Sequence, residues 1–236
     1  MTKLAWDANS ERLFETGVSR GVLFPMDETT TPPNYGAGVA WNGLTAVTES
    51  PSGAEATALY ADNIKYLSLT SAEEFGATIE AYMYPDAFAA CDGTAELDTD
   101  SGVFIGQQDR KLFGFCYTTQ LGNDVLGNAF GKKIHIIYGA KAAPSERGYA
   151  TINDAPEAIT FSWAVTTTAV EVPGFKPTAT LIIDGSKVSA EAMSALEDYL
   201  YGAAADETAT PPKLAMVSAL PMPAKVLEII ATADLG

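Results

Sequence analysis

The sequence predicts a mainly β protein, a β-sandwich or barrel with one flanking α-helix and a long projecting β-hairpin. Three observations carry this. Apolar residues alternate with a period of two in several segments, helical spacing marks one clear segment, and one strand–turn–strand stretch is too poor in large apolar groups to form a private core. The alternation is clearest at Ile159, Phe161, Trp163 and Val165, interleaved with Thr160, Ser162, Ala164 and Thr166. Phe113, Phe115 and Tyr117 share one face of a second strand, with Leu112, Gly114 and Cys116 on the other. Ile134, Ile136 and Tyr138 alternate with His135 and Ile137, and Ile79, Ala81 and Met83 with Glu80, Tyr82 and Tyr84. Shorter strands are expected at 103–105 and 178–183, and a turn or short helix over 85–91.

The helical segment begins at Ser189, a natural N-cap, with Glu191 in its first turn. Met193, Leu196 and Leu200 then recur at helix spacing, and Gly202 supplies the stop. Its narrow apolar stripe should lie on the outside of the sheet. The hairpin is expected between Trp41 and Leu69, with Pro51 and Gly53 fixing the turn. Residues 41–50 alone would extend about 33 Å at roughly 3.3 Å per residue. Its limbs carry Ala, Thr and Leu with isolated acids, and an isolated hairpin is marginal in water. Another subunit could supply the missing neighbours. The whole chain, 1–236, is read as one domain, with 25–37 and 202–236 as extended or flexible arms rich in Pro and Ala.

The composition sets limits on function. Fourteen Lys and Arg stand against thirty Asp and Glu, a formal net charge of −16, while 47% of residues are hydrophobic. That balance suits a globular protein and opposes a general nucleic-acid binder or a surface that docks on anionic lipid. Two cysteines do not staple a fold of 236 residues. No segment reads as a leader or a membrane span, so a chain made and kept in the cytosol, or in whatever assembles there, is expected. The charge is also uneven. Residues 21–109 hold fourteen acids and a single base, Lys65, whereas Arg110, Lys111, Lys132, Lys133, Lys141 and Arg147 form a comparatively basic middle. Unlike faces suit a molecule that stacks head to tail on copies of itself.

Motifs for catalysis are scarce. His135 is the only histidine and sits inside an apolar alternation, which favours a strand residue over a ligand. Gly17-Val18-Ser19-Arg20-Gly21 spells a nucleophile elbow, but the following Val22-Leu23-Phe24 is strand-like where that motif needs a helix. Asp98, Asp100 and Asp109 faintly resemble a calcium loop lacking its central glycine and closing glutamate. Cys91 and Cys116 have no metal-ligand spacing and read as small buried hydrophobes. No phosphate-binding glycine loop occurs. Neither catalytic nor metal residues are assigned, no cofactor is expected, and the chain is read as non-enzymatic.

Three stretches together resemble a known family. Gly17 to Phe24, Gly38-Val-Ala-Trp-Asn-Gly-Leu-Thr-Ala-Val-Thr-Glu-Ser-Pro-Ser-Gly-Ala-Glu-Ala56, and Leu59 to Tyr66 are similar to the major tail tube proteins of long-tailed (siphovirus-type) bacteriophages, closest to those infecting Gram-positive hosts. Ala195-Leu-Glu-Asp-Tyr-Leu-Tyr-Gly202 resembles that family's C-terminal helix, whereas Leu220-Pro-Met-Pro-Ala-Lys225 departs from its usual ending. The resemblance implies a tail tube protein-like fold, a virion protein of the tail, six copies per ring, and rings stacked into a tube that conducts DNA on ejection. It implies as partners the protein's own copies within and between rings, a tape measure protein, a tail terminator, and distal tail or baseplate proteins, with DNA passing unbound. In that family a long hairpin from each subunit joins its neighbours in a closed barrel lining the bore. Trp41, Glu49, Pro51, Gly53, Glu55 and Asp62 are then the candidate lumen or inter-subunit residues, with Glu49, Glu55 and Asp62 as acids that repel passing phosphates.

Two other classes share parts of this evidence. A capsid-decorating or host-surface-binding β-domain would show the same strand pattern without a polymerising arm. An acid-pair hydrolase needs only two carboxylates, and nothing in the sequence selects a pair.

Overall fold

The computed structural model describes residues 4, 6, 8–27, 29–31, 34–98, 101–152, 154, 157–205 and 214–233. Fifteen strands follow in chain order among them. The first nine are β1 (Leu13–Asp27), β2 (Asn34–Tyr35), β3 (Val39–Trp41), β4 (Leu44–Glu49), β5 (Ser52–Gly53), β6 (Ala56–Ala61), β7 (Ile64–Thr70), β8 (Glu73–Glu74) and β9 (Gly76–Ala81). A 3-10 turn (Asp86–Phe88) precedes β10 (Ala95–Glu96), β11 (Phe104–Ile105), β12 (Phe113–Asn123), β13 (Gly127–Ala142), β14 (Phe161–Thr167) and β15 (Thr180–Asp184). Two helices close the chain, α1 (Ala190–Tyr201) and α2 (Pro223–Ala233).

The principal sheet is antiparallel and runs β2-β1-β12-β13-β14-β9-β4, with β3 also on β1 and β15 also on β13. Strand β13 changes partner along its length. Lys133–Ile137 pair with β15, and Ala140–Ala142 pair with β14. Gly139, at φ +55°, makes the break, and a Cβ there would strike the Thr168 carbonyl oxygen. Only glycine holds that position without strain.

The break folds the sheet over itself, so that Gly21–Phe24 of β1, Phe113–Thr118 of β12 and Ile134–Ala140 of β13 form a wall buried on both sides. On the inner side Leu23, Phe113, Phe115, Tyr117 and Ile137 pack against Ile79 of β9 and Trp163 and Val165 of β14, with Trp41 and Phe88 plugging the end. On the outer side Phe24, Cys116, Ile134, Ile136 and Tyr138 meet Met193, Leu196 and Leu200 of α1 and Val226 of α2. This is a β-sandwich with flanking helices, and no ladder joins β4 to β1 to close it as a barrel among the described residues.

The strand parities follow from the alternation expected of them. Phe113, Phe115 and Tyr117 face the inner core while Cys116 faces the outer one; Ile134, Ile136 and Tyr138 face outward and Ile137 inward. Ser189 caps α1 by accepting from the Ala192 N–H at 3.2 Å, and Gly202 ends it at φ +80°. Both cysteines are buried and free.

Five expectations need correction. The strand expected from Ile159 begins at Phe161, and β9 ends at Ala81, leaving Tyr82 and Met83 exposed. Residues 223–233, expected within an extended arm, form α2, because Val226, Ile229 and Ile230 find cover on the outer core. In the other arm, Asn34–Tyr35 pair with Met26–Asp27, which makes β2 the sheet edge. The hairpin reverses at a different place from the one its proline and glycine suggest, as described below. Asp100 of the calcium-like run, Glu28, Pro32 and Pro33 of the first arm, and 206–213 and 234–236 of the second lie outside the described residues.

Candidate assembly arm and the seam at its base

The β4–β9 ladder does not stop at the edge of the body. Backbone bonds from Ser50 N to Gly76 O (2.8 Å), Ala54 N to Ala72 O (3.3 Å) and Ser71 N to Glu55 O (3.3 Å) carry it through β5/β8 into β6/β7. The result is one two-stranded ribbon. It reverses at Asp62 (φ +51°) and Asn63 (φ +66°), a two-residue turn in which both centres are left-handed. Asp and Asn tolerate that conformation because short polar side chains bond locally. The Pro51–Gly53 stretch is no reversal. Gly53 lies in β5 at φ +81°, where a Cβ would collide with the Ala72 carbonyl, so it permits close passage of the two limbs.

Every residue of β7 is exposed, and in β6 only Ala58 is half-buried. The register pairs Thr57 with Leu69, Leu59 with Leu67, and Ala61 with Ile64, which puts four large aliphatic side chains on one face. Leu59 is 42% exposed, Leu67 38%, Leu69 56% and Ile64 65%. Covering each would stabilise by about 1 kcal/mol, half the value for complete burial. The opposite face carries the Tyr60–Lys65 pair.

The six sequence-selected residues separate on this ribbon. Trp41 belongs to the core at 3% exposure, its indole N–H donating to the Met83 carbonyl at 2.9 Å. Pro51 and Gly53 sit at the lower limb, and Glu55 and Asp62 are exposed on the arm. Glu49, the last residue of β4, stands where the arm leaves the body.

There it enters a polar seam between β1 and β4, two strands that lie side by side without a ladder. The cavity of about 390 Å³ in this seam is lined by Glu15 and Val18 of β1, Thr45 and Glu49 of β4, Tyr117 and Thr119 of β12 and His135 of β13. Two bulges interrupt β1 beside the seam, at Gly17 (φ +68°) and Arg20 (φ +52°), while its N-terminal half stays paired with β12. Tyr117 donates to Glu49 Oε1 at 2.8 Å and its ring stacks on His135, centroids 4.6 Å apart. Thr119 Oγ1 donates to Glu15 Oε1 at 2.5 Å, and Lys133 Nζ donates to Glu15 Oε2 at 2.5 Å.

Hydrogen bonding assigns the histidine tautomer. Since the Thr119 proton is given to Glu15, the Thr119 oxygen accepts from His135 Nε2 at 3.0 Å. The proton of neutral His135 therefore sits on Nε2. Nδ1 keeps a lone pair, has no hydrogen-bond partner, and faces Glu49 Oε1 at 3.6 Å. Burial pushes the imidazole below its ordinary value against the pull of Glu49 and Glu15. Burial opposes ionisation of Glu15 as well, but the bonds from Lys133 and Thr119 prevail and hold its carboxyl below the usual range. Burial and the neighbouring Glu49 push the Tyr117 phenol far up. Sequence reasoning found Glu49 and His135 separately but not their union, since β1, β4, β12 and β13 converge only in three dimensions. Among the described residues, no group of three or more His, Cys, Asp or Glu is placed to hold a metal ion.

No protein-family model matches the chain, and no curated protein matches it. Among solved structures, a chain from the 6-fold symmetrised cryo-EM structure of the anti-feeding prophage baseplate aligns over 78% of this chain and 100% of its own length. Identity is 11% and the TM-score 0.35. A likeness at that score carries no argument about family or function. No helix among the described residues is long and apolar enough to cross a membrane.

Proposed function

We propose that the protein is a structural virion component that polymerises through its projecting ribbon into stacked hexameric rings, forming the phage tail tube through which DNA is ejected. The observation that supports this is the aliphatic face of Leu59, Ile64, Leu67 and Leu69, which the described residues leave exposed. A ribbon of this length with no cover among the described residues invites neighbours, and a closed ring of copies removes its free edges. The family resemblance of residues 17–24, 38–56 and 59–66 supplies the tube and the ring number. The protein then acts on no substrate; its partners are its own copies, with the tape measure, terminator and baseplate proteins at the tube's ends.

In this reading the exposed acids Glu55 and Asp62 line the bore and repel DNA phosphates, whereas Glu49 is retained at the seam by Tyr117. Electron microscopy and sedimentation of purified protein test the proposal. Rings or tubes are expected on concentration. Replacing 56–70 with a short glycine turn should abolish them while leaving the folded body intact. A full-length chain that stays monomeric at every concentration would overturn the proposal, and an armless variant that still forms tubes would remove the ribbon from it.

A further inference from the structure

The seam at the base of the arm has unused hydrogen-bonding capacity. His135 is 91% buried by its side chain's 9% exposure, yet Nδ1 has no partner; Thr45 Oγ1, on the facing strand, has none either. Both line the same cavity as the carboxylates of Glu15 and Glu49. Glu15 is already engaged by Lys133 and Thr119. Glu49 receives a single bond, from Tyr117, and is one-third exposed. The three groups left over are a lone pair, a hydroxyl and most of a carboxylate, a set that accepts protons and attracts positive charge. What fits is an alkylammonium or guanidinium group arriving from outside the chain.

The arm supplies one. Lys65 is the only base between Arg20 and Arg110, is exposed, and makes no ion pair among the described residues. It cannot reach the seam of its own chain, because the arm runs away from it. Its distance from that seam is informative. Lys65 stands twelve residues before Ala77, the ladder partner of Glu49, a span of at most about 40 Å at 3.3 Å per residue. A compact body of this chain length has a radius of gyration of about 17 Å and so a width of roughly 40–45 Å. In a head-to-tail ring, equivalent points on adjacent copies are separated by about one such width. An arm that starts at one seam therefore ends near the next.

We propose that the seam between β1 and β4 receives Lys65 of a second copy, whose ammonium donates to His135 Nδ1, Glu49 and Thr45. This rests on the self-assembly reading and gives that assembly its register. Each copy's arm tip docks at the base of its neighbour's arm, so that the chemistry holding the arm root also reports that a neighbour is present. The paired Tyr60 and Lys65 point away from the aliphatic face, leaving that face free for the neighbour's apolar surface.

Charge reversal tests it. Lys65→Glu, a change at an exposed position of the arm that leaves the body untouched, should raise the concentration needed for assembly at least tenfold. Glu49→Lys should do the same, and the double variant Lys65→Glu with Glu49→Lys should recover most of the loss. Ser68→Glu, which adds a negative charge to the same arm, controls for general repulsion and should have under a third of that effect. The sole histidine gives a second readout: its Nδ1 nitrogen-15 resonance should move on assembly of the wild type as it gains a donor. Tubes formed equally well by Lys65→Glu, or an Nδ1 signal identical in monomer and assembly, would overturn the docking while leaving tube formation intact. A wild type that never assembles overturns both.

Discussion

Strands β12 and β7 are both antiparallel, both carry alternating side chains, and live in opposite surroundings. From Phe113 to Thr118 every residue of β12 is buried, because one face meets β9 and β14 and the other meets α1. Every residue of β7 is exposed, because its sole neighbour is β6. The first strand is held by tertiary packing, with hydrogen bonds on both edges. The second is held by one ladder and a tight turn, which in water is marginal. The lesson is that the chain divides its strands between those that make the body and those that must be completed from outside.

Substitutions can sharpen that contrast. The largest effect on stability should come from the wall: Trp163→Ala removes a fully buried side chain and should cost about 3–5 kcal/mol in urea denaturation. The same measurement on Leu67→Ala in the monomer should give less than about 0.5 kcal/mol, with its penalty seen in assembly instead. Comparable losses from the two would mean the arm is packed in the isolated chain. Gly139→Ala comes next, at about 1–3 kcal/mol, since it places a Cβ against the Thr168 carbonyl in a left-handed backbone where β13 changes partner. An unchanged midpoint for that variant would show that the partner switch does not depend on the glycine.

Smaller, and confined to the seam, is the pH effect. His135 is harder to protonate in the folded chain than in the unfolded one, so its contribution to stability is complete above about pH 6.5 and is lost as the pH falls through its lower folded value. His135→Asn should flatten the fall between pH 7 and 5, a window that no other histidine occupies. An equal slope in the variant would assign that window to the carboxylates.

Much of the body was legible in advance. The parity of Phe113, Phe115 and Tyr117 against Cys116, and of Ile134, Ile136 and Tyr138 against Ile137, requires only a period of two. The capped helix at Ser189 requires only a side-chain acceptor and apolar residues at helical spacing. The arm was legible as a stretch with too little apolar mass, but its turn was misplaced. Pro51 and Gly53 are strong turn residues by type, and the closeness of the Ala72 carbonyl that makes Gly53 necessary within a ribbon is a contact across the chain. Helix α2 was missed for a related reason, since Val226, Ile229 and Ile230 look dispersed until the outer face of the wall is there to receive them.

Taken alone, the order of amino acids determined the strand faces, the first helix, the acidity of residues 21–109 and the existence of an uncovered hairpin. Those are local properties, set by side-chain period, capping chemistry and composition. Tertiary structure decided where the ribbon reverses, that Trp41 is core, and that Glu15, Glu49 and His135 meet in one seam. The place of Trp41 and the seam depend on how β13 breaks at Gly139 and wraps the sheet, whereas the reversal is set by how the two limbs pair along the ribbon. A pairing such as that of Glu15 with His135, more than a hundred positions apart, leaves no periodic trace in the chain.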